Sequence, residues 1–362
     1  MAIYSIDGDT VNTVYDVSGE SLTSVYDIAG EHYDLDIQVT PREWSMSENY
    51  KGQVLDVLDY IADYKESNQN SYALCQFNDV HQTFSGEEPN FIDYNEGYKI
   101  IDRMLFVGDM VDTSNATQYA NAVDFMEGAS ASKKIIAMGN HEYKSYNSSY
   151  GDPEALYKAV INVKATYKTN SALIYYHDDR QNNIRFIVLD YFYQTQTYTD
   201  SGHLLDLDQA KWLAGVMESA GNKDIIIVAH SMLNPFTVAF TNTEQSSTAT
   251  LQNNDKLIDI INAYIDRDTY SITVNGASYS FNFANVTGNF IMYATGHYHA
   301  LGHSDDDGFN MFTCPSLLNA YPLNTASKKG FTFYLIDRTL KTIKAFVCST
   351  DLTEYASFDY TY

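Results

Sequence analysis

The stretch MLFVGDMVD, Met104 to Asp112, runs from four apolar residues through a glycine into two aspartates, Asp109 and Asp112. A short apolar run stopped by glycine reads as a buried strand, so both carboxylates fall in the turn that leaves it. The same grammar recurs along the chain. Tyr72 to Phe77 is followed by Asp79 and His81, Ile135 to Met138 by Asn140, His141 and Glu142, Ile225 to Ala229 by His230, and Phe290 to Ala294 by His297 and His299. A further strand-like run, Arg185 to Leu189, and helical periods at Tyr119, Val123 and Met126 and at Leu207, Ala210, Leu213 and Met217 fill the intervals. Strands alternating with helices predict an α/β fold with its active-site residues at strand ends. The C-terminal GFTFYLIDRTLKTIKAFVCST reads as an antiparallel pair, which makes the sheet mixed.

Outside this core, residues 2–34 repeat with a period of eleven, as AIYSIDGDTVN, TVYDVSGESLT and SVYDIAGEHYD, with Tyr4, Tyr15 and Tyr26 and Gly8, Gly19 and Gly30 in register. Each unit reads as a short strand and a glycine turn that cannot bury its apolar face alone. Residues 1–42 are therefore read as a small β repeat appendage with its linker, and 43–362 as the main domain. Ser45 to Glu48 has capping-box spacing before a helix with Val54, Leu55, Leu58, Ile61 and Ala62 on one face. An insertion at about 231–288, with a helix over Lys256 to Ile265 and a hairpin turn at Asn275-Gly276, is expected beside the site.

At 362 residues, with 44% hydrophobic and 19% charged side chains, the chain has the size and composition of one large globular domain plus an appendage. Its net charge of -25 repels polyanions, so duplex nucleic acid and anionic membrane are not expected partners. No run approaches the roughly 20 apolar residues of a membrane span, and the N-terminus lacks a basic region followed by an apolar one, so a soluble, by default cytoplasmic, chain is expected. Cys75, Cys314 and Cys348, an odd number without paired spacing, read as buried free thiols.

His297 and His299 alternate along an extended segment and so face one side. With Asp79, His81, Asp109, Asn140 and His230 they make a mixed oxygen and imidazole set that suits Mn, Fe or Zn. So many ligands predict two ions, with a carboxylate such as Asp109 bridging a pair held roughly 3.5 to 4 Å apart. Aspartate and asparagine are also ordinary turn residues, which accounts for each position singly and for the whole set poorly.

The ordered series Asp-x-His, Gly-Asp-x-x-Asp, Gly-Asn-His-Glu, His and Gly-His-x-His resembles the calcineurin-like metallophosphoesterases over roughly Tyr72 to His299. The stretch SGHLLDLDQAKWLAGVM, through Gly202, Gln209, Trp212 and Leu213, is similar to a helix of the cyclic-nucleotide phosphodiesterase and purple-acid-like branches. The resemblance implies a four-layer α/β sandwich with two mixed β-sheets, here preceded by the repeat appendage. It places Asp79, His81 and His299 on a first ion and Asn140, His230 and His297 on a second, with Asp109 bridging. His141 would act as general acid or phosphate donor, with Asp112 orienting its ring and Glu142 helping to order the loop. The implied activity is dinuclear hydrolysis of a phosphate ester, diester or monoester, by metal-bound hydroxide. Thr113 stands where the family's protein phosphatases carry a phosphate-gripping arginine, and an acidic chain offers no basic groove. A small-molecule phosphate ester or nucleotide-like diester is the expected partner. The alternative makes the repeats an oligomerisation or attachment module of a surface- or virion-associated protein whose phosphoesterase domain is vestigial. His32, His177, His203 and His303 are expected at the surface or behind the ligands, His303 at the cleft rim, and Asp190 as a turn cap.

Overall fold

The computed structural model describes residues 48–81, 100–112, 116–127, 134–143, 174–193, 203–233, 251–316 and 330–362, with short strands at 14–15, 21–22, 24–26, 32–34, 167–168, 236–238 and 243–245. The first repeat, the linker, Ser45 to Ser47, Thr113 and part of the 231–250 segment lie outside the described residues.

Helix α1 (Glu48–Ser67) buries Tyr50, Val54, Val57, Leu58 and Ile61, a stripe at helical spacing; Leu55 and Ala62 of the expected face lie at its margin. Strand β1 (Ser71–Phe77) is buried at every position, as a strand covered on both faces must be. Then come β2 (Arg103–Val107), α2 (Ala116–Glu127) and β3 (Lys134–Ala137), with β1, β2 and β3 paired in parallel. Strand β4 (Tyr175–Asp179) pairs antiparallel with β5 (Ile184–Val188). Its polar sequence YYHDD hid it from the pattern reading. There follow α3 (Leu207–Glu218), β6 (Asp224–Val228), α4 (Asn254–Asp266), the hairpin β7 (Thr269–Val274) with β8 (Ala277–Asn282), β9 (Phe290–Thr295), β10 (Gly302–Ser304) and β11 (Met311–Thr313). The chain closes with the meander β12 (Gly330–Asp337), β13 (Thr342–Ser349) and β14 (Ala356–Thr361), the expected pair plus an edge strand.

These strands make two mixed sheets. One has the order β14-β13-β12-β1-β2-β3; the other runs 243–245, 236–238, β10, β11, β9, β6, β5, β4, 167–168. They pack face to face: Tyr72 meets Phe186 at 6.3 Å between ring centres, the Tyr175 hydroxyl donates to the Ile136 carbonyl, and Arg103 Nη2 pairs with Asp179 at 2.9 Å. Helix α1 covers the first sheet, and α3 and α4 cover the second. This is the expected four-layer α/β sandwich. Beyond Val107 and Phe77 the turns stay bonded to each other, Asp79 N to Gly108 O at 3.0 Å and His81 N to Asp109 O at 2.9 Å. Across the sheets, Gln76 Nε2 donates to Thr295 O at 2.7 Å. The carboxyl ends of β1, β2, β3, β6 and β9 are thereby clamped at one edge.

The inserted helix and hairpin exist, but they are an outer cover. Helix α4 begins beside His203, where Gln252 N donates to His203 O, and the hairpin turns Tyr270, Ile272 and Val274 onto α3 and α4. The helix layer therefore separates the hairpin from the strand carboxyl ends, because an alternating strand must set its apolar face on the nearest apolar surface. In the appendage, 14–15 pairs antiparallel with 21–22 and 24–26 with 32–34, while Gly19 and Gly30 lie outside the described residues. All three cysteines are free and buried.

Candidate metal centre

From the first sheet, the turns after β1, β2 and β3 deliver Asp79 and His81, Asp109 and Asp112, and Asn140, His141 and Glu142; from the second, β6 delivers His230 and β9 delivers His297 and His299. The structure brings them together in two adjoining groups, Asp79, His81 and His299 and Asp109, His230 and His297, with a third in which Asp112 and His141 share His81. In one, His299 Nε2 lies 3.1 Å from Asp79 Oδ1 and 3.3 Å from His81 Nε2. In the other, His230 Nε2 lies 3.2 Å from Asp109 Oδ2, and His297 Nδ1 lies 3.1 Å from Asn140 Oδ1. The groups touch at their carboxylates: His81 Nε2 is 3.9 Å from Asp109 Oδ2, and His230 Nε2 is 3.9 Å from Asp79 Oδ1.

Asp79, His81, Asp109, His297 and His299 all adopt left-handed backbone, with φ of 50°, 46°, 52°, 72° and 56°. Residues with a side chain rarely do so, and such strain collects at functional sites that the surroundings over-determine. Two glycines allow it by close approach. A Cβ on Gly108, itself at φ +79°, would stand 2.6 Å from His230 Nδ1, and one on Gly139 would collide with the Asp109 carboxylate. A buried carboxylate fixes the same turns. Glu142 accepts from Gly139 N at 2.7 Å, Asp109 N at 2.9 Å and Met110 N at 2.8 Å, joining the turns after β2 and β3.

The ring orientations follow from fixed acceptors. His230 Nδ1 donates to the Val107 carbonyl at 2.7 Å, which turns Nε2 to Asp109, the arrangement of a metal-binding imidazole with its other nitrogen tied. His141 Nδ1 donates to the Asp112 carbonyl at 2.8 Å, with the Asp112 carboxylate 3.4 Å away. The backbone of Asp112, more closely than its side chain, therefore holds this ring. Here the wall opens: the side chains of His141 and Asp112 are 14% and 35% exposed, while His230 and Asp79 are fully covered.

Burial works against charge on Asp79 and Asp109, yet neighbouring His299 and His230 hold both carboxyls well below the usual range. Burial likewise opposes a charged His230, but Asp109 and Asp79 push it up to about 10. His81 and His297 are pushed down to about 4 by burial, which keeps them neutral and able to ligate. Burial, and then Asp109, raise Glu142.

This set fits divalent or trivalent cations. Asp79 Oδ1 and His230 Nε2 are buried with ion-pair contacts to His299 and Asp109 but no well-formed hydrogen bond among the described residues, and atoms so placed are favourable partners for a cation. The donors are carboxylate, amide and imidazole with no thiolate, the chemistry of Mn, Fe or Zn.

The structure defines three residues beside the site more closely than the sequence did. Asp190 is buried and accepts from the Tyr143 hydroxyl at 2.7 Å as well as from Phe192 N, so it braces the turn after β3 besides capping its own. Gln209 brackets the backbone of Asp190 with both ends of its amide, giving the helix glutamine a structural task. His203 lies fully buried with its ring 4.8 Å from that of His297. His303, expected at the rim, packs instead on Phe312 and Tyr360 and bonds Asn310.

The profile of a protein family described as calcineurin-like phosphoesterase matches residues 73–301. No curated protein matches the chain. Among solved structures, a conserved uncharacterized protein of Streptococcus pneumoniae TIGR4, a predicted phosphoesterase, is similar over 81% of this chain and 98% of its own, at 9% identity and a TM-score of 0.33. Vacuolar protein sorting 29 of Cryptosporidium parvum is similar over 81% and 99%, at 8% identity and a TM-score of 0.36. The phosphopantetheinyl hydrolase of Mycobacterium tuberculosis is similar over 68% and 90%, at 12% identity and a TM-score of 0.34.

Proposed function

The chain belongs to the calcineurin-like phosphoesterase family, and from that premise we propose that it hydrolyses a small-molecule phosphate ester, diester or monoester, at a centre for two metal ions. The observation that supports this best is the pair of adjoining ligand groups whose carboxylates, Asp79 and Asp109, each lie within 3.9 Å of an imidazole of the other group. Asp79, His81 and His299 would hold one ion, Asn140, His230 and His297 the other, and Asp109 would serve both. Ions so held would supply an activated water and neutralise charge on the phosphoryl oxygens.

The remaining work falls to side chains. Asp79, Asp109 and His230 are buried, which keeps bulk water from the reacting edge and strengthens every charge there. His141 sits on the open wall with Nδ1 fixed by the Asp112 carbonyl and Nε2 4.0 Å from Asp109 Oδ2. An ester entering by that wall meets Nε2, which is placed to give a proton to the departing alcohol oxygen. The net charge of -25 favours a small ester over a nucleic-acid duplex.

The test is manganese-dependent hydrolysis of bis-p-nitrophenyl phosphate and p-nitrophenyl phosphate by metal-stripped and reconstituted protein. Activity should appear with metal and vanish in Asp109→Asn and Asn140→Ala; full activity in both variants would overturn the proposal.

A further inference from the structure

His203 belongs to none of the motifs that point at metal, yet it is fully buried against them. Its ring meets His297 edge-on, 4.8 Å between centres at 69°, and is closed from the other side by Phe192 at 4.7 Å. His203 Nδ1 is bonded to Ser231 Oγ at 2.6 Å, and Nε2 is buried with no hydrogen-bond partner among the described residues.

Ser231 directly follows His230 in the chain. Its carbonyl accepts from the Tyr293 hydroxyl at 2.6 Å, which in turn contacts the Tyr191 hydroxyl at 2.9 Å. A polar chain thus runs from Tyr191 through Tyr293 and Ser231 to His203 and stops against His297. An apolar core would fill this position with leucine or phenylalanine. A buried network left open at one nitrogen is unfavourable unless that nitrogen is used.

We propose that His203, oriented by Ser231, is a positioning residue of the second metal subsite: it fixes the plane of the His297 ring and presents Nε2 to an oxygen held at that subsite. This rests on the dinuclear reading above. Partners one step behind a metal-binding histidine set its orientation, and their loss weakens metal binding roughly 10- to 100-fold. His203 acts on one subsite, because its contact is with His297 and no described contact joins it to His81 or Asp79.

The experiment is calorimetric titration of metal-stripped full-length protein with manganese(II) alone. The wild type should show two classes of site. In His203→Phe, which keeps a ring in place, one class should lose roughly 10- to 100-fold in affinity while the other is unchanged; His203→Gln should recover part of the loss. Unchanged binding of both ions in His203→Phe would overturn the inference and leave the dinuclear reading standing, whereas fewer than two ions bound per chain in the wild type would overturn that reading itself. Should the phenylalanine variant not fold, Ser231→Ala decides: one ion bound more weakly with the other unchanged supports the inference, and wild-type binding refutes it.

Discussion

Replacing Glu142 by glutamine changes one atom type at the junction of two site turns. The carboxylate accepts three buried backbone N–H groups, two at Oε2 and one at Oε1. An amide has one accepting oxygen. If that oxygen takes the place of Oε2, it keeps Gly139 and Asp109 and turns its NH2 on the Met110 N–H. A buried donor left facing a donor costs about 1–3 kcal/mol. The two bonds that remain fall from charge-assisted to neutral, about 1 kcal/mol each. Against this, burial raises Glu142, so removing the charge returns part of the loss through relief of desolvation. The balance is a destabilisation of about 3 kcal/mol. Asp109, whose φ of 52° these bonds maintain, should relax and bind metal more weakly. Urea denaturation of the metal-free protein and a manganese isotherm measure the two effects. A loss under about 1 kcal/mol with unchanged manganese affinity would refute the assignment of the strained turn to Glu142.

Three further outcomes are expected. His141→Gln should lower kcat about 10²- to 10⁴-fold with manganese stoichiometry intact, since its ring lies on the open wall beside the ligand groups; loss of metal instead would make it a ligand. His230 in the metal-free protein has a folded pKa of about 10, above the unfolded value of about 6.5. Its contribution to stability is therefore complete below about pH 6.5 and lost as pH rises toward 10. Metal-free protein should weaken over that window in melts at graded pH, while manganese, which must displace that proton, should bind more tightly; flat melts would contradict the Asp109–His230 pairing. Deleting residues 1–42 should leave turnover unchanged and alter oligomeric state or surface attachment, and a loss of turnover would tie the repeats to the chemistry.

The candidate ligands were legible because each stands within five residues of an apolar run, and a run that ends in Gly-Asp, Gly-Asn or Gly-His announces both its strand and its turn. Helix α4 and the β7–β8 hairpin were legible for the same local reason. Their position was not, since which surface an amphipathic hairpin covers depends on α3, far away in the chain. Glu142 could be seen in its motif, but two of its three bonds reach back to residues 109 and 110. His203 and His297 lie far apart in the chain and share no spacing that sequence could reveal. The left-handed turns left only their glycines as a trace; the strain itself falls on aspartate and histidine, which carry no such mark.

The most direct test titrates metal-stripped protein with manganese while following hydrolysis of bis-p-nitrophenyl phosphate at each addition. Two shared ligand groups predict that turnover stays near zero through the first equivalent and rises with the second, saturating at two ions per chain. Full turnover at one equivalent, or none at any occupancy, would contradict a dinuclear phosphoesterase.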